Sequence, residues 1–165
     1  MKTSSSNLLK DFPIKQQLYK YDCGACCMWS ILKYIGIEIS YREFLNLLKP
    51  LSDGLEGEEI EEFLKKMGIK IISEKSTIEK LRACTEKGWP SIVSIQHKRE
   101  KNKTWEETIK YGHYVVVLKI TNTNVYFMNP EYGKIQYLEI EKFKERWHDG
   151  DETSFYQYPT ITCML

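Results

Sequence analysis

The chain has 165 residues, enough for one domain with a real core, and 42% of them are hydrophobic and 13% aromatic, which excludes a disordered chain. Lysine plus arginine number 24 against 23 aspartate plus glutamate, so the net charge of +1 gives no reason to expect nucleic acid as a partner. No apolar run reaches the length of a membrane span, the N-terminus carries no signal-peptide pattern, and five cysteines without framework spacing point to a reducing compartment, most simply the cytoplasm.

No repeat or long linker divides the chain, so residues 1–165 read as a single domain with a loose polar lead-in over 1–10. From Gly24 to Ile35 the apolar residues Met28, Leu32 and Ile35 fall at helical spacing, and Gly36 is a natural stop. Ser40 to Glu43 is a capping-box pattern opening a second helix that Pro50 ends. A third helix runs over 58–68, with Ile60, Phe63, Leu64 and Met67 on one stripe and Gly68 as its stop. Residues 69–73 are a short strand. Ser76 to Glu79 is a second capping box, opening a helix towards Gly88.

After Pro90 the pattern changes to strands at 91–96, 113–121, 125–129 and 134–138, then a helix over 140–148 and a last strand over 154–158. Residues 97–112 form a long charged connection of the kind that often gates a site, and His97 falls in its solvated part. Helices first and mostly antiparallel strands later make an α+β arrangement.

Three of the five cysteines, Cys23, Cys26 and Cys27, stand within five positions. Zinc needs a second ligand pair, and neither Cys84, Cys163 nor the histidines at 97, 113 and 148 supply one. A thioredoxin-like dithiol belongs after a buried strand, and the polar stretch before Cys23 is not one. The remaining reading is a single nucleophile. Cys23 stands at a helix start, where unpaired N–H groups favour thiolate, while Asp22 beside it works the other way. Cys26, Cys27, Cys84 and Cys163 read as packing or surface thiols. No metal or cofactor is implied.

A nucleophilic cysteine needs a base, an orienter and an oxyanion donor. His113 opens one strand and Asn129 closes the next. With Asn122 to Asn124 as an odd-numbered hairpin loop, both side chains share a face on a diagonal of about 7–8 Å, whereas an even loop would separate them. Gln17, six positions before Cys23, is placed to offer an amide N–H to a developing oxyanion.

The stretches "QLYKYDCGACCMWSILKYIG", "GHYVVVLKI" and "FMNPEYG" together resemble the papain-like fold as used by bacteriocin-processing peptidases, which cleave after a double glycine in a leader peptide. The resemblance implies a helical N-terminal half carrying the cysteine and an antiparallel sheet half carrying the histidine and its orienter. It assigns the nucleophile to Cys23, the base to His113, the orienter to Asn129 and the oxyanion glutamine to Gln17. That branch usually has Asp as orienter, while papain-like enzymes in general use Asn. The Asn-Pro and "FKERWHDGDET" also resemble guanylyl-cyclase-domain-containing proteins, which resemble the same core.

The sequence therefore reads as a thiol hydrolase acting on a peptide or protein, with Cys23, His113, Asn129 and Gln17 as its catalytic set. Acyl or peptidyl transfer through the same thioester and a non-catalytic peptide-binding domain are the alternatives. With no span of its own the chain reads as a standalone domain, for which a separate transporter or delivery protein is a candidate partner.

Overall fold

In the computed structural model, which describes residues 9–48 and 54–165, helix α1 (Cys23–Tyr34) forms where the apolar spacing predicts it. Its end is a left-handed cap: Gly36 has φ +89°, and Ile37 N–H reaches back to the Leu32 carbonyl. Helix α2 (Tyr41–Leu47) opens on a complete capping box between Ser40 and Glu43. The proline stop at 50 lies outside the described residues. Helix α3 (Gly57–Lys66) and strand β1 (Lys70–Lys75) follow in the expected order.

Helix α4 (Ile78–Glu86) corrects one expectation. Its N-cap is Thr77, whose hydroxyl accepts Lys80 N–H, and the Ser76–Glu79 box does not form. Ser76 is buried, and its N–H donates to the Tyr158 carbonyl, so tertiary contact shifts the cap by one residue.

Strands β2 (Ser91–Gln96), β3 (Gly112–Ile120), β4 (Asn124–Asn129) and β5 (Lys134–Glu139) pair antiparallel in sequence order. Helix α5 (Ile140–Arg146) is shorter than expected, because residues 148–150 form β6 (His148–Gly150). The expected last strand is β7 (Phe155–Gln157), which pairs only with β6 in a separate ribbon. The strand that enters the main sheet, β8 (Pro159–Met164), is absent from the sequence reading. It fills the gap in the order β1-β8-β2-β3-β4-β5. Pro159 stands at its first position, where a missing N–H costs least.

The sheet is covered on both faces. Met28, Ile31 and Leu32 of α1, Phe44 of α2 and Ile60 and Leu64 of α3 pack with Ile92, Val116, Leu118 and Met128 on one face. Ile78 and Leu81 of α4 and Phe143 of α5, with Trp147, pack on Val93, Val115, Val117 and Phe127 on the other. The arrangement is α+β, with an N-terminal helical layer over an antiparallel sheet. Leu9 is already part of it, buried and hydrogen-bonded through N–H to the Leu118 carbonyl at 3.0 Å.

Leu118 marks a break in register. Ile120 pairs with Val125, so the loop between them is four residues, an even number. Without correction, His113 and Asn129 would then face opposite ways. Between Val117 and Lys119 the register shifts by one residue, and Val117 pairs with Phe127 and Val116 with Met128. A β-bulge of this kind adds one residue to one strand and reverses the alternation beyond it. The bulge returns His113 and Asn129 to the same face.

Candidate active site

His113 and Asn129 meet across β3 and β4. The His113 Nε2 lies 2.7 Å from Asn129 Oδ1, and both residues are buried. The same oxygen accepts Glu131 N–H at 3.0 Å, and Asn129 Nδ2 donates to Gln136 Oε1 at 2.8 Å. The amide is thereby fixed with its oxygen towards the ring. An oxygen can only accept, so His113 Nε2 carries the proton and Nδ1 keeps its lone pair. Burial pushes the His113 pKa below its ordinary value, against the opposing effect of the Asn129 bond. The imidazole is therefore neutral at pH 7, the form in which it accepts a proton.

Cys23 is the first residue of α1, with Asp22 as N-cap. The first intrahelical bond runs from Cys26 N–H to the Asp22 carbonyl at 2.8 Å, so the N–H groups of Cys23 and Gly24 are free of the helix ladder. The thiol also lies against β3. Its pKa is raised, chiefly by burial and to a smaller degree by Asp22, while the backbone N–H groups of Tyr114, Gly24 and Cys23 pull it down. Tyr114 follows His113 in the chain, so the helix start and the histidine end of β3 come together. Gly24 allows this approach: a Cβ there would stand 3.1 Å from Tyr114 Cδ2 and 3.2 Å from Ile60 Cδ1.

Asp22 has a structural task. Its Oδ2 accepts Leu18 N–H at 3.0 Å and the Tyr41 hydroxyl proton at 2.6 Å, and its Oδ1 accepts Tyr19 N–H at 2.9 Å. It makes no side-chain cap to the helix. The carboxylate instead ties the loop before Cys23 onto α2, which fixes where Gln17 stands. Gln17 N–H donates to the Pro130 carbonyl at 2.8 Å, tying the loop to the residue after Asn129. Its side-chain Nε2 donates to the Tyr19 carbonyl at 2.7 Å, leaving one amide hydrogen, and its buried Oε1 has no partner.

Cys26 and Cys27 are fully buried in the core beside α1, and burial pushes the Cys26 thiol up to about 12. No cluster of three metal-ligating side chains occurs among the described residues.

His97 departs from its expected place in solvated loop. His97 N–H pairs with the Tyr111 carbonyl, extending the β2–β3 ladder, and its ring lies 5.2 Å from that of His113. The 97–112 connection is held down as well: Glu100 Oε2 accepts Ile109 and Lys110 N–H, and Thr108 is buried. Arg146 and Gln136 are the other neighbours that the sequence reading missed. Arg146 Nε donates to the Gln96 carbonyl at 2.8 Å, and its guanidinium lies 4.3 Å from the Trp105 ring centre. The signal for His97 was available in the register, since strands 91–96 and 113–121 as neighbours bring it diagonal to His113. Arg146 and Gln136 carried no such signal.

The profile of the Peptidase C39 family matches residues 11–150. The lactococcin-G-processing and transport ATP-binding protein LagD of Lactococcus lactis is 30% identical over 126 residues, which are 76% of this chain and 16% of that protein. This chain spans less than a fifth of the curated relatives it matches. The peptidase domain of Streptococcus ComA, a bi-functional ABC transporter involved in quorum sensing, superposes with a TM-score of 0.69 at 22% identity, covering 93% of this chain and 99% of that domain. A double glycine motif protease from an AMS/PCAT transporter, solved with its leader peptide, has a TM-score of 0.68 at 15% identity, covering 97% and 94%. The expected papain-like fold is thus found. These matches give no support to the resemblance to guanylyl-cyclase-domain proteins.

Proposed function

The chain belongs to the Peptidase C39 family, a cysteine peptidase domain similar to those of bacteriocin-processing transporters, and on that premise we propose that Cys23, His113, Asn129 and Gln17 are its catalytic residues. The observation that carries the assignment is the bond of 2.7 Å between His113 and Asn129, on the strand end that meets the start of α1. His113 Nδ1 takes the thiol proton as Cys23 Sγ bonds to the scissile carbonyl carbon. The oxyanion receives Cys23 N–H and the remaining Gln17 amide hydrogen. When the C–N bond breaks, His113 returns the proton to the leaving amine, and water then hydrolyses the thioester.

The substrate we propose is a leader peptide cut after a double glycine, in line with the double glycine motif protease solved with its leader peptide. We read residues 1–165 as one papain-like domain acting in the cytoplasm, with a transporter or delivery protein as its partner. Among the described residues no helix is long and apolar enough to cross a membrane. The test is incubation with synthetic leader peptides carrying a Gly-Gly site, read by mass spectrometry. Wild type should cut after the second glycine, and Cys23→Ala and His113→Ala should not. Cleavage that survives Cys23→Ala would refute the assignment.

A further inference from the structure

A cavity of about 460 Å³ opens beyond the His113–Asn129 pair, lined by Asn129, His97, Tyr132, Gln136, Tyr137 and Arg146 among others. Of its lining residues only Asn129 belongs to the catalytic assignment. Its one permanent cation is Arg146, and that side chain is unusually well fixed. Nε is tied to the Gln96 carbonyl and the guanidinium carbon lies 4.3 Å from the Trp105 ring centre, and these two contacts hold the fork at the cavity wall. The rest of the guanidinium has no hydrogen-bond or ion-pair partner among the described residues. A rigid, unpaired guanidinium at a cavity wall is a bidentate receptor for carboxylate. Glu131 also lines the cavity but forms no ion pair with Arg146.

The position of the cavity says which part of a peptide would reach it. His113 delivers its proton to the leaving amine, so the substrate backbone on the leaving-group side passes over the histidine. Cys23 lies against the Tyr114 N–H, while His113 turns Nε2 to Asn129, which is bonded to Gln136 and shares the cavity lining with Arg146, so the cavity adjoins the Nε2 edge of the ring and not the Nδ1 edge assigned to the thiol. Resting on the catalytic reading above, we propose that the Arg146 cavity is a specificity subsite for an acidic substrate residue on the leaving-group side of the scissile bond. Tyr132 and Tyr137 flank it as aromatic walls.

The test is a library of internally quenched Gly-Gly peptides with Glu, Gln or Lys at each position after the second glycine. Wild type should prefer Glu over Gln at one such position by about tenfold in kcat/KM, the worth of a charge-assisted bond. Arg146→Gln should bring that ratio near one, and Arg146→Glu should turn the preference to Lys. A Glu preference that survives both variants, or no preference at any position, overturns the proposal. Should wild type cut no peptide, the catalytic reading fails, and the subsite is then read by binding. N-acetyl-glutamate N-methylamide should shift the indole N–H resonance of Trp105 saturably, and N-acetyl-glutamine N-methylamide should not. Equal shifts with both compounds overturn the proposal.

Discussion

Asn129→Asp tests whether the resting site is a neutral thiol and a neutral imidazole. The new carboxylate can keep the two bonds that Asn129 Oδ1 now accepts, from His113 Nε2 and Glu131 N–H. Its other oxygen faces Gln136, whose amide can turn to donate. Only charge changes. With about 4 Å between charge centres and an effective dielectric near 20, attraction to the imidazolium is ~4 kcal/mol. Desolvation of the new carboxylate removes part of this, leaving an upward shift of about 1–2 pH units for His113. Burial holds His113 below its ordinary value and Cys23 above its own, so the neutral pair dominates. The acid limb then reports proton loss from His113. In a pH profile of kcat/KM, or of Cys23 alkylation, the acid limb should move up by about 1–2 units. The alkylation plateau should rise, because more of the site carries the thiolate–imidazolium pair. An unmoved acid limb would mean that the ion pair already dominates, and the reasoning fails.

Asp22→Asn leaves at least one of Leu18 N–H, Tyr19 N–H and the Tyr41 hydroxyl without an acceptor. The cost is about 1–3 kcal/mol, seen as a drop in Tm of roughly 2–4 °C per kcal/mol at this chain length. Gln136→Leu removes the acceptor of Asn129 Nδ2 and should lower kcat/KM about tenfold, whereas Gln136→Glu, which keeps an acceptor, should lose less; equal losses would deny Gln136 a role in holding the amide. The native pair also sets an acid limit on stability. Since burial lowers the His113 pKa, the unfolded chain binds a proton below about pH 6.5 that the folded chain refuses. That stability is complete above 6.5 and declines as pH falls towards the folded pKa, so the loss in urea midpoint between pH 7 and pH 5 should be smaller in His113→Gln than in wild type.

Much of the candidate site was legible because its pieces are local. A cysteine after an acidic residue at a helix start, a histidine opening an apolar strand and an asparagine before proline are each visible within a few residues. Their meeting is another matter. The paired loop is even in length, and the bulge at Leu118 restores the shared face. Nothing within "HYVVVLKIT" marks Leu118 as the extra residue, because it ends an unbroken apolar run from Val115 and the Leu9 bond to its carbonyl comes from over a hundred positions away. Strand β8 was missed for a related reason. Its Thr and Ile alternate weakly, and its place between β1 and β2 depends on partners far back in the sequence. The cap at Thr77 shows the same limit, since the bond between Ser76 and Tyr158 is a tertiary fact. Asp22, which in the sequence opposes the thiolate beside it, is understood only through its three acceptor bonds to loop and α2.

The central claim is that Cys23 owes its reactivity to His113. The most direct measurement is the rate of iodoacetamide modification at each of the five cysteines at pH 6, read by peptide mass spectrometry in wild type and His113→Ala. Cys23 should react faster than half-buried Cys84, with fully buried Cys26, Cys27 and Cys163 slowest. In His113→Ala the Cys23 rate should fall at least tenfold, to or below that of Cys84. A Cys23 rate that is the same in both proteins would contradict the account.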